Sequence, residues 1–243
     1  MNTTEVLSLL EANKNDRGIE NWKKLGASAG ELKSFGIGLT QLRKLAKQIG
    51  RDRDLAMDLW KGDVYDGKVI ALLIDDPKAM TQEQAEAQVE ELGAGLLTHV
   101  FSSCDATLSK TPFVVELASK WMDSKDPVRR GCGYGLLDEV SKSKKKDAPD
   151  DAFFLESIEH IRKTFDGEGR SVRASMGGAL MGIGKRNATL NAAALELARA
   201  IGPIQFDDDL EPLDVVKHLT GDRLREKLGV RGRRCEPPGD PGQ

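Results

Sequence analysis

Cysteine is scarce in this 243-residue chain: Cys104, Cys132 and Cys235 are odd in number and show no C-x-x-C spacing. A disulfide framework and a zinc knuckle are thereby excluded, and reduced thiols in a cytosol fit best. Aromatic residues make up 5% of the chain, too few for a β-rich core. No apolar run approaches the roughly 20 residues that cross a bilayer, and residues 1–10 lack the basic start and continuous apolar stretch of a signal peptide. The expectation is a cytoplasmic monomer with no membrane contact. His99, Cys104 and Cys132 lack the paired short spacings of metal ligands, so no metal is expected. The G-x-G in Gly131-Cys-Gly-Tyr-Gly135 lies inside a helical segment where a dinucleotide loop would follow a strand, and no cofactor is expected either.

Charge of one sign is not in excess overall, since the net value is -3 with a pI of about 5.8. Indiscriminate coating of nucleic acid is therefore excluded. The layout is uneven, however. Residues 52–95 hold 4 Lys and Arg against 11 Asp and Glu, whereas residues 127–199 hold 13 against 10. A polyanionic partner should meet the second half.

What is present in abundance is helical periodicity. In residues 171–204 the apolar side chains fall at Val172, Met176, Ala179, Leu180 and Ile183, then with the same spacing at Leu190, Ala194, Leu197, Ala198 and Ile201. Between the stripes, Gly184 suits a left-handed helix end, Asn187 suits the cap of the next helix, and Lys185 and Arg186 project beside its free amides. Ser171, Ser175, Gly178 and Gly182 make a face with almost no side chain, which fits a closely packed neighbouring helix or, alternatively, a nucleic-acid backbone.

Upstream, helices are expected over 2–30 in one or two pieces, 40–49, 54–60, 64–74, 81–91 with Thr81 and Gln84 as a capping box, and 96–108. Thr111-Pro112 and Asp126-Pro127 each place a capping residue before a proline, and another helix pair opens near Asp150. Thr111 to Asp150 is 39 positions and Asp150 to Asn187 is 37, each interval holding two helices. That recurrence predicts an all-α, right-handed α-solenoid of HEAT-like repeats over residues 1–230, with 231–243 a disordered tail.

Residues 35–49 with Leu55–Trp60, Lys110-Thr-Pro-Phe113, Trp121 followed by Arg129-Arg130, and Ile183-Gly-Lys-Arg-Asn187 with its alanine-rich sequel together resemble the AlkD-like DNA alkylation repair proteins. The similarity runs over about residues 35–204. It implies a stack of HEAT-like repeats that binds double-stranded DNA along a basic surface and, in active members, excises N3- or N7-alkylated purines as an N-glycosylase. Those enzymes carry a Trp and an Asp four residues apart, where this chain has Ala94 and Thr98. The open alternative is a non-catalytic HEAT-repeat scaffold that binds DNA structures or a protein.

An alkylated purine is a cationic leaving group, so a carboxylate to steady the sugar cation and an aromatic face to hold the base would suffice. Asp105 with Phe101 supplies that pair on one face of a 96–108 helix, and Arg130 is the second catalytic candidate. The plain alternative makes Asp105 a solvated residue and Phe101 core. For phosphate contacts the candidates are Arg129, Lys142, Lys144, Lys145, Lys146, Arg173, Lys185 and Arg186, which a solenoid could align on one edge.

Overall fold

The computed structural model describes residues 1–25, 31–93, 96–206 and 210–230. Two short helices, α1 (Thr3–Ala12) and α2 (Asp16–Lys24), precede an up-and-down array in two layers. The front layer is α3 (Leu39–Ile49), α5 (Tyr65–Ile74), α7 (Leu96–Ser102), α9 (Pro127–Lys142), α11 (Arg170–Gly184) and α13 (Val215–Leu219), each packed on the next. The back layer is α4 (Arg53–Trp60), α6 (Gln82–Glu90), α8 (Val114–Met122), α10 (Asp151–Thr164) and α12 (Ala188–Ile201), with α4 on α5, α8 on α9, α10 on α11 and α12 on α13. The short α14 (Asp222–Lys227) follows. Among the described residues there is no strand, only two isolated bridges. The arrangement is all-α and built of HEAT-like pairs, as the spacing predicts. Residues 231–243 lie outside the described residues.

An up-and-down array has two kinds of turn, and they fall on opposite edges. Turns leading from front to back occupy 50–52, 75–81, 103–113, 143–150 and 185–187; those leading back again include 61–64, 123–126 and 165–169. Several turns form for reasons legible in the sequence. Asn187 accepts from the Leu190 amide at 2.9 Å, Asp126 from Arg129 at 2.9 Å with Pro127 in the first helical position, and Asp150 from Phe153 at 3.1 Å.

Four local expectations are corrected. Gly184 is not left-handed: it is buried in the last turn of α11, where a Cβ would stand 2.7 Å from Leu219 Cδ1 and 3.1 Å from Ala194 Cβ. Thr81 caps α6, but the Gln84 side chain leaves the capping box, donating to Asp75 Oδ2 at 2.8 Å and accepting from Arg53 at 2.8 Å. The 96–108 segment breaks after Ser102, because Cys104 and Asp105 both take positive φ (61° and 64°) before a 3-10 turn at Thr107–Lys110. Thr111 donates back to the Leu108 carbonyl at 2.9 Å and closes that turn, so α8 begins at Val114 instead.

The core is a stripe between the layers. Trp60, Phe101 and Trp121 stack through it with centroids 6.3 and 6.1 Å apart, and all three are buried. Helix α9 carries both halves, with Cys132 and Leu136 in the N-terminal part of the core and Tyr134, Leu137 and Val140 in the C-terminal part. Its glycines explain the tight fit: a Cβ on Gly133 would lie 2.6 Å from the Met122 amide nitrogen and 3.0 Å from the Ala118 carbonyl oxygen. Gly182 of α11 likewise abuts Asp138 and Ser141 of α9, so close helix packing accounts for the small-residue face there. At Gly178 no atom comes within 4 Å of the added Cβ.

Candidate nucleic-acid interface

The front-to-back edge is a continuous groove. At its start α3 presents Arg43, Lys47 and, just beyond its end, Arg51 around a hollow of about 330 Å³ that also takes in Asp105 and Lys110. Asp105 and Lys110 line the next hollow too, with Lys78, Glu139, Lys142, Lys145 and Asp147, and its volume is about 680 Å³. Lys142 and Lys145 in turn border the last hollow, of about 570 Å³, with Asp138, Lys144, Lys185, Arg186 and Lys227. Eleven lysines and arginines thus face four carboxylates along one edge of a molecule whose net charge is -3. None of the three hollows is lined by an aromatic side chain.

Helix α3 is held in place by its front-layer neighbour α5. Buried Asp66 on α5 accepts from Ser34 Oγ at 2.8 Å and from the Phe35 and Ile37 amides at 2.7 and 3.1 Å, fixing the loop that leads into α3. Arg186 acts similarly at the far end. Its guanidinium donates to the Ser141 and Ser143 carbonyls at 2.5 and 3.1 Å and lies 4.3 Å over Phe154, capping the C-terminus of α9.

The sequence-predicted cations divide by edge. Lys142, Lys144, Lys145, Lys185 and Arg186 line the groove, and exposed Lys146 sits in the same loop. Lys142 lies 2.8 Å from Asp138 and 2.9 Å from Glu139; burial lowers its pKa, but these two carboxylates outweigh that and raise it. Arg129, Arg130 and Arg173 sit elsewhere. Arg129 pairs with Glu86 and Glu90 of α6. Arg130 grips Glu168 through two bonds of 2.6 and 2.8 Å and donates to the Ser124 and Lys125 carbonyls. Arg173 donates to the Phe165 and Asp166 carbonyls at 3.0 and 2.7 Å. All three occupy the first turn of their helices, by the back-to-front turns. At 1.5 Å per residue, Arg130 and Lys142 are about 18 Å apart along α9.

The expected pair of Phe101 with Asp105 on one helical face does not form. Phe101 is buried between two tryptophans, while the left-handed turn sends Asp105 to the groove surface, 3.6 Å from Arg43. Asp105 therefore stands among groove cations and Arg130 does not. Cys104 Sγ lies 3.3 Å from His99 Nε2, yet among the described residues no three potential ligands gather around a metal position. Sequence reasoning missed Arg43, Lys47, Arg51, Lys78, Lys110 and Lys227. A signal existed for the first three, which recur every four residues as one face of α3 does.

Antiparallel helix pairs stacked in register, with one edge of turns loaded with cations, define an α-solenoid of the HEAT-like kind. The family described as DNA alkylation repair enzyme matches residues 6–203, and the chain belongs to that family. No match is found among curated proteins. A solved structure described as "a new family of proteins related to the HEAT-like repeat DNA glycosylases with affinity for branched DNA structures" superposes with a TM-score of 0.80 at 22% identity, covering 95% of this chain and 97% of that one. No helix among the described residues is long and apolar enough to cross a membrane.

Proposed function

We propose that this protein binds double-stranded DNA by its phosphate backbone along the basic groove, as a cytoplasmic monomer. The observation that carries this reading is the segregation of eleven cations to one edge of an acidic chain. The five front helices from α3 to α11, spaced roughly 8 to 10 Å apart, give an edge of about 32 to 40 Å, a span that includes one turn of B-DNA. Membership of the repair family supports the choice of DNA, and the relative with affinity for branched DNA makes a bent or branched duplex the form to compare. The free thiols of Cys104 and Cys132 accord with a reducing compartment.

Alkylpurine excision is the second reading, favoured by the position of Asp105 in the groove. Against it stands the lack of an aromatic platform in the groove among the described residues, since Trp60 and Trp121 are buried in the core and Trp22 is engaged with Tyr65, centroids 4.6 Å apart. The test measures binding to linear duplex and to a four-way junction at matched salt, and release of 7-methylguanine and 3-methyladenine from methylated DNA. Binding without release above background is expected. Release that disappears in Asp105→Ala would establish the glycosylase reading, and no binding to either DNA would sink both.

A further inference from the structure

We propose that Lys110 is the nucleophile of an abasic-site lyase activity, forming an imine with the aldehyde of a base-free deoxyribose held in the groove. The inference rests on the DNA-binding reading above. Lys110 and Asp105 are the two residues shared by the first and second hollows, midway between Arg43 and Arg51 on one side and Lys142 and Lys145 on the other. A backbone gripped by those flanking cations would bring its sugar to the junction. The Lys110 ammonium donates to the Asp105 main-chain carbonyl at 2.5 Å, which fixes the amine beside the Asp105 carboxylate's own residue. The hollows there exceed the size of a deoxyribose phosphate and offer no surface on which to stack a base, a shape suited to a nucleotide that has lost one.

The electrostatics agree. Burial lowers the Lys110 pKa from its ordinary value; Asp105 and Glu139 raise it and Arg51 and Arg43 lower it, the net being downward, whereas Lys142 moves the other way. A lysine so placed holds more free amine at neutral pH than a solvated one, which is what Schiff-base chemistry needs.

The step balances without any redox partner. The neutral Nζ adds to C1′ of the ring-opened sugar, and the carbinolamine takes up one proton from solvent on its hydroxyl and loses water to give a protonated imine. The Asp105 carboxylate removes a C2′ proton, the electron pair forms the C2′=C3′ double bond, and the C3′–O bond breaks with phosphate as leaving group. Water then hydrolyses the imine, freeing Lys110 and leaving a 3′ unsaturated aldehyde opposite a 5′ phosphate.

The experiment uses the full chain and a labelled duplex with one abasic site, with and without borohydride, which reduces the imine to a stable covalent link. Wild type should yield a trapped adduct and strand cleavage. Lys110→Arg keeps the charge and, at a protein concentration that saturates the duplex, should lose nearly all of the adduct; Lys163→Arg, exposed at the end of α10 and outside the groove, should retain it. Asp105→Asn, which suits the left-handed backbone there, should still be trapped but cleave roughly 10²-fold more slowly. Binding by wild type with no adduct, or an adduct undiminished in Lys110→Arg, overturns the proposal and leaves DNA binding standing. Failure of wild type to bind the duplex removes both.

Discussion

Removing three cations from the groove should flatten the salt dependence of DNA binding, and the size of the change follows from which cations are free. Among the described residues, Lys47, Lys78, Lys144, Lys145, Lys185 and Lys227 line the groove with no side-chain hydrogen bond or ion pair, whereas Arg43, Arg51, Lys110, Lys142 and Arg186 are engaged with carboxylates or carbonyls. Six phosphate contacts give a slope of log K against log salt of about -5, or roughly 10³-fold weaker binding between about 50 and 200 mM. Lys47→Ala, Lys145→Ala and Lys185→Ala together should reduce that slope by about 2.7 units. All three are exposed and make no side-chain hydrogen bond or ion pair, so the fold should hold within about 0.5 kcal/mol. Fluorescence anisotropy with a duplex of roughly two turns reads the slope, and Arg173→Ala, on the opposite edge, should leave it unchanged. A triple variant that keeps the wild-type slope, or an Arg173→Ala variant that loses as much, refutes the assignment of the groove.

Three further outcomes concern the framework. Gly133→Ala drives a methyl onto the α8 backbone, which cannot yield as a side chain would; it should cost about 3 kcal/mol, a fall in Tm of roughly 6 to 12 °C by calorimetry. Arg130→Ala strands Glu168, whose side chain is 7% exposed, and should cost about 3 kcal/mol in urea unfolding, with Glu168→Gln added to it restoring part of the loss. Burial pushes the Glu86 carboxyl up, but hydrogen bonds from Lys120, Trp121 and Arg129 outweigh it and hold its pKa below 4.5. That contribution is full above pH 4.5 and lost as pH falls below it, so Glu86→Gln should shrink the acid-side loss of stability.

The helix caps at Asp126, Asp150 and Asn187 were legible because a cap depends on three or four neighbouring residues and nothing else. The break after Ser102 was not, because two non-glycine residues adopt left-handed backbone there and neither announces it. For the groove, counting charge by halves of the chain pointed past Arg43, Lys47 and Arg51, since each edge of a solenoid samples every repeat from first to last. Arg129 and Arg130 look in sequence like Lys144 and Lys145. What separates them is which end of α9 they occupy, and whether a carboxylate such as Glu86 or Glu168 waits across the gap to the next helix.

Because eleven cations face four carboxylates on one rim while the back helices α4 and α6 bear Asp54, Asp58, Glu83, Glu86 and Glu90 against Arg53 alone, charge is unevenly spread over the molecule. As it approaches a polyanion, torque should turn that rim forward before contact and repel collisions by the other faces. Much of the selectivity in how it lands would then be decided at a distance, within the roughly 8 Å reach of unscreened fields at physiological salt, and before any single hydrogen bond is made.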